Sequence, residues 1–115
     1  MNHKGLSLCL CLSTCLMACS KPLDADKIHY AGSWLSADSS VSLVISPEGH
    51  LEYHNQQQGK STSLSAPIKS FQADRFKAGV GPFSTEFKVT QAPTQDVQGN
   101  WFMVVNGYTL AKRRS

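Results

Sequence analysis

A chain of 115 residues holds one domain and no more. Eleven Lys and Arg against eight Asp and Glu give a formal charge of +3. Three of those basic residues fall in the last four positions, so the body of the chain is nearly neutral and lacks a global nucleic-acid footprint. All four cysteines, Cys9, Cys11, Cys15 and Cys19, sit at the N-terminal end, which leaves the rest of the chain no thiol from which to build a disulfide framework.

In chain order, Lys4 supplies a positive start and residues 6–17 an apolar run rich in Leu, Cys and Met. That run is about half of what a membrane-spanning helix needs, and it suits the core of a signal peptide. It stops at Ala18-Cys19-Ser20, followed by Lys21-Pro22. The spacing Cys11-x3-Cys15-x3-Cys19 could be read as a metal site, but no His or carboxylate lies beside it. Residues 1–18 therefore read as a signal peptide, with three of its cysteines as apolar filler.

Leu16-Met17-Ala18-Cys19 resembles the lipobox of bacterial lipoproteins, with Met in place of the commoner small or β-branched second residue. The resemblance covers residues 1–20. It implies that Cys19 takes a thioether-linked diacylglycerol, that the chain is cut before it, and that its new amino group is acylated, with palmitate for example. Ser20, where an Asp would cause inner-membrane retention, implies an outer-membrane anchor with the domain facing the periplasm.

Residues 19–29, polar after the cysteine and containing Pro22, read as an acylated tether of roughly 30 Å if extended. Residues 30–115 read as a single β domain. Val41, Leu43 and Ile45 share one face of a strand, and Ser46-Pro47-Glu48-Gly49 is a turn. Leu51 and Tyr53 point inward from His50–His54, and residues 55–60 form a polar loop. Leu64, Ala66 and Ile68 mark a third strand, weakened by Pro67. Residues 71–76 fit a short strand or one helical turn, and residues 77–83 a loop. Thr85, Phe87 and Val89 alternate with polar residues, and residues 91–99 are a polar connection. Trp101–Val105, apolar on both faces, predicts a doubly covered strand. Asn106-Gly107 is a type I′ hairpin signal before the return strand at 108–112. No sustained 3.6-residue period occurs. The expected architecture is all-β, a small antiparallel meander of six to eight strands forming a barrel or a sandwich. Gly32-Ser33-Trp34 is similar to the opening of lipocalin-like and avidin-like barrels, and Gly99-Asn100-Trp101 repeats the pattern.

The chemistry-bearing candidates are few. His50, Glu52 and His54 share one strand face and are weak metal candidates, because same-face neighbours stand about 6.5–7 Å apart and the two imidazoles twice that. Gly79-Val80-Gly81-Pro82 lacks the GKS/T ending of a phosphate cradle. Phe76, Val80 and Phe83 around this loop are the candidate interaction residues. Neither a G-x-S-x-G motif nor a spaced carboxylate pair supports hydrolysis, so no enzyme activity, cofactor or metal is expected. Lys112-Arg113-Arg114 reads as a solubilising tail or an anionic-surface patch. Two functional readings follow. One is a non-catalytic lipid-anchored envelope protein serving as an interaction or accessory module for an envelope protein partner. The other is a small barrel holding an apolar ligand between Trp34 and Trp101.

Overall fold

The computed structural model describes residues 21–57 and 59–113. The expected signal peptide and the expected lipidation site at Cys19 lie outside them. Eight antiparallel strands close into a barrel in sequential order: β1 (Gly32–Ser36), β2 (Val41–Ile45), β3 (His50–Gln57), β4 (Lys60–Phe71), β5 (Arg75–Ala78), β6 (Thr85–Gln95), β7 (Trp101–Val105) and β8 (Tyr108–Lys112). A 3-10 helix, Ala25–Tyr30, precedes β1. Of the two small antiparallel architectures expected from the turn spacing, barrel or sandwich, the fold is the barrel.

Alternation decides which side chains fill it. Val41, Leu43 and Ile45 of β2, Leu51 and Tyr53 of β3, Phe87 and Val89 of β6, and Leu110 of β8 are buried, while their sequence neighbours face outward or lie at the surface. Asn106 and Gly107 both have positive φ, 52° and 84°, and form the tight β7–β8 turn.

Several boundaries differ from the sequence reading. The polar residues 55–57 continue β3, and Lys60 begins β4, because the hairpin ladder runs on through Gln56↔Ser61 and Gln57↔Lys60 without needing a core face. The stretch 91–99 is mostly strand. β6 reaches Gln95, with Pro93 sitting in a register irregularity between Gln91 and Thr94. Residues 71–76 are the end of β4, a turn and the start of β5. β7 is not doubly covered: Met103 and Val105 are buried inside, and Phe102 and Val104 are half-buried on the outer wall.

The two long strands exchange partners midway. β4 pairs with β3 through Lys60–Pro67 and with β5 through Ile68–Phe71, with a register shift between Ile68 and Ser70. β6 pairs with β5 through Thr85–Lys88 and then with β7. β5 is thereby displaced along the barrel. Its end lies level with Pro67, whose carbonyl accepts the Gly79 N–H at 3.0 Å, and Pro67 faces His50 at the start of β3.

The expected tether is folded from Lys21 onward. Leu23 packs against the core, and its N–H donates to the Pro47 carbonyl at 2.9 Å. Tyr30 is buried, and its carbonyl accepts the Trp34 indole N–H at 2.9 Å. From Tyr30 a column of rings runs through the interior. The centroid steps are 4.7 Å to Phe71, 4.9 Å to Phe76, 5.0 Å to Phe87 and 5.1 Å to Tyr53. Edge, tilted and stacked contacts at this spacing add to the area they bury. Beyond the column, the Asn55 amide donates to the Tyr53 hydroxyl at 2.9 Å and lies 3.5 Å from that of Tyr108.

Candidate functional site

Phe76, Val80 and Phe83, expected together around one loop, separate in the structure. Phe76 is fully buried because β5 alternates, with Arg75 and Lys77 out and Phe76 and Ala78 in. It is a core residue, not a contact residue. Val80 and Phe83 are 63% and 78% exposed.

The segment that presents them is tightly built. The Phe83 N–H donates to the Val80 carbonyl at 3.1 Å, closing a turn in which Gly81 has φ 61°. The ammonium of Lys69, from β4, donates to the Gly81 carbonyl. At Gly79 a Cβ would collide with the Phe83 carbonyl and the Ser84 Cα, so only glycine lets the turn fold back on its own stem. The result is an apolar pair held outward on a braced turn. A solvated connector has no need of that arrangement.

Trp34 and Trp101 do not enclose a ligand pocket. Trp34 is buried in the core, and the Lys112 ammonium lies 5.0 Å from its ring and 5.4 Å from that of Trp101. Trp101 is half-buried and stacks on His29 at 4.6 Å. The same ammonium donates to the His29 carbonyl at 3.0 Å. Burial against the two indoles lowers the Lys112 pKa. Lys112, read in the sequence as tail, is thus a wedge that joins β1, β7 and the 3-10 helix. The barrel interior is filled by Trp34, Phe76, Phe87, Leu43, Met103 and their neighbours. A groove of ≈ 340 Å³ lies on the outer wall beside Leu35, Ala37, Thr109 and Ala111.

His50, Glu52 and His54 project outward from β3 as the alternation predicts. The His50 ring is 3.0 Å from the Ser65 hydroxyl and the His54 ring 3.0 Å from that of Ser63, both on β4, while Glu52 is exposed. Each imidazole therefore has a cross-strand hydroxyl partner, and the three side chains do not converge. Among the described residues no group of three or more His, Cys, Asp or Glu is arranged to hold a metal ion.

Three carboxylates have lowered pKa values: Asp38 and Asp96 through turn hydrogen bonding, and Asp74 through the neighbouring Arg75 guanidinium. The side-chain hydroxyl and backbone N–H of Ser40, with the Ser36 hydroxyl, pull Asp38 down to about 2. Backbone N–H groups of Asn100 and Gln98 lower Asp96 in the β6–β7 turn. Asp38 and Asp96 are turn staples, Asp38 accepting from two serine hydroxyls and one backbone N–H and Asp96 from local backbone N–H groups. Arg75 pairs with Asp74 at 3.3 Å and Glu86 at 3.2 Å on the exposed side of β5. Such exposed pairs contribute little to stability.

The sequence reading missed Lys69, Lys112 and the docking of Leu23. Gly79 was visible as a glycine in a turn-forming run, but not as the seat of the Phe83 carbonyl. No helix among the described residues is long and apolar enough to cross a membrane. Compared with known proteins, the chain matches no family model, no curated protein and no solved structure.

Proposed function

We propose that this chain is a non-catalytic, lipid-anchored protein of the bacterial envelope. Its barrel serves as an interaction or accessory module, and the Val80–Phe83 turn is its contact element. The observation that carries the binding half of this reading is the braced, exposed Val80–Phe83 pair on a barrel whose interior is already filled. A filled interior weighs against the alternative of an enclosed apolar ligand, which needs a lined cavity of a few hundred Å³. The anchoring half rests on the lipobox-like Leu16-Met17-Ala18-Cys19. Ser20 supports an outer-membrane address with the domain in the periplasm.

Each half has its own test. Intact-mass measurement of the membrane-extracted protein should show acyl additions on a chain that begins at Cys19. Cys19→Ser should give an uncleaved or soluble product with no fatty acid, and a mature terminus elsewhere without lipid would sink the anchoring half. For the contact element, a photo-reactive side chain at position 83 should yield adducts in cells. One at Thr62, exposed on β4, should not. Equal adduct yields from both positions would reject the assignment.

A further inference from the structure

The Val80–Phe83 turn lies close to where the chain leaves the barrel toward Cys19. Lys21 packs its carbonyl against Gly49, where a Cβ would collide with it. The Gly49 carbonyl accepts the Ile68 N–H at 2.8 Å, and the Pro67 carbonyl accepts the Gly79 N–H at 3.0 Å. One row of backbone thus runs from Lys21 across Gly49 and Pro67–Ile68 to Gly79. With strands about 4.8 Å apart, Gly79 stands roughly 10–15 Å from Lys21. Gly79 is the seat of the Phe83 carbonyl. A surface depression of ≈ 140 Å³ on this face is lined by Lys21, Lys27, Lys69, Ile68 and Phe71, with Asp24 as its one carboxylate. Lys69 reaches from it to the Gly81 carbonyl.

Cys19 precedes Lys21 by two residues, about 7 Å of fully extended chain at most. Resting on the reading of Cys19 as the lipidated residue, this leash cannot hold the barrel clear of a bilayer. We infer that the Val80–Phe83 turn docks on the lipid surface that carries the anchor. Phe83 and Val80 enter the boundary between headgroups and acyl chains, and Lys21 and Lys69 meet the lipid phosphates. An apolar tip beside lysines is the composition such a boundary takes up. With Lys27 paired to Asp26 at 3.2 Å, Lys21 and Lys69 against Asp24 are the charges that face an anionic leaflet. The anchor makes the contact intramolecular, at an effective concentration in the millimolar range for a short linker. A contact this small is then occupied, although the same turn free in solution would not hold a membrane. A protein partner at this turn would have to enter between barrel and bilayer. Val97, also exposed, lacks these features: it stands beside the exposed Asp96 carboxylate in the β6–β7 turn.

The test uses the full lipidated protein in phosphatidylethanolamine–phosphatidylglycerol vesicles. Cys19 is blocked by its thioether, so Phe83→Cys and, separately, Lys60→Cys each give one reactive thiol for an environment-sensitive fluorophore. Lys60 pairs with Gln57 at the hairpin tip, roughly 23 Å along β3 from His50. Both sites are exposed, and unchanged thermal midpoints verify the fold. The label at 83 should shift to shorter wavelength and lose intensity to lipids carrying a quencher at headgroup depth, while the label at 60 does neither. Phosphatidylcholine vesicles should weaken the quenching at 83. If intact mass shows lipid on Cys19 and the label at 83 stays aqueous, the docking is wrong and the anchor stands. Absence of lipid on Cys19 overturns both. Protein adducts, without lipid adducts, from a photo-reactive group at 83 in cells would replace the bilayer with a protein partner and overturn the inference.

Discussion

Phe76 and Phe83 flank one short loop, yet their truncations should have opposite consequences. The Phe76 ring is fully buried, with centroids 4.9 Å from Phe71, 5.0 Å from Phe87 and 6.1 Å from Tyr30. Phe→Ala in a core costs about 3–5 kcal/mol. Removal of a middle ring deprives three neighbours of their partner, so the upper part of that range, about 4–5 kcal/mol, is expected. A domain of this size has a total stability of about 5–14 kcal/mol, so Phe76→Ala removes a third of it or more. At about 4–8 °C per kcal/mol, the melting temperature should fall by about 16–40 °C. Phe83 is mostly solvent-facing, and Phe83→Ala should change stability by no more than about 0.5 kcal/mol. Urea unfolding of the two variants with matched m-values measures both. A Phe76→Ala loss below about 1 kcal/mol, or equal losses for the two variants, would refute the assignment of one ring to the core and the other to contact.

Gly79→Ala should push the Phe83 carbonyl off its seat and cost about 1–3 kcal/mol by overpacking, while quenching of a label at 83 by the bilayer changes. A midpoint matching wild type would mean that the turn does not depend on that seat. Lys112→Met keeps the apolar stem but removes the ammonium from between Trp34 and Trp101 and from the His29 carbonyl. It should speed amide exchange across Ala25–Tyr30 with a global loss of about 1–2 kcal/mol, and unchanged exchange there would show that Lys112 does not hold the 3-10 helix. Asp38 has a folded pKa below its unfolded value of 3.8. Its contribution is therefore complete above pH 3.8 and is lost as pH falls through about 2. Carboxyl NMR of Asp38 should titrate near that lower value, and Ser36→Ala should raise it; an ordinary titration would contradict the staple.

Alternation made most of the barrel legible. Val41-x-Leu43-x-Ile45, Leu51-x-Tyr53 and Phe87-x-Val89 each bury the residues that their spacing assigns inward, and Asn106-Gly107 forms the turn that its chemistry prescribes. Arg75-Phe76-Lys77-Ala78 carried the same message for Phe76, but over only four residues, fewer than a period needs to stand out. The docked N-terminal segment was hidden because only Leu23 and Tyr30 face the core while most residues between them are exposed. The extension of β3, β4 and β6 into polar sequence was hidden because a ladder is held by backbone groups, which every residue type supplies. The Lys112 wedge depends on the pairing of the first strand with the last, a long-range fact that no local spacing encodes.

That seam has a further consequence for how the protein is made. β1 and β8 meet through Trp34↔Lys112, Leu35↔Ala111 and Ser36↔Leu110, so closure joins nearly the two ends of the described chain. Until β8 is available, β1 keeps one ladder edge unpaired and Trp34 lacks the ammonium that lies over it. Hairpins such as β2–β3 are local and form early, whereas the seam must wait for contacts of the greatest sequence separation. In a chain made from its N-terminus β8 follows every other strand, so the barrel closes only after the other seven strands are available.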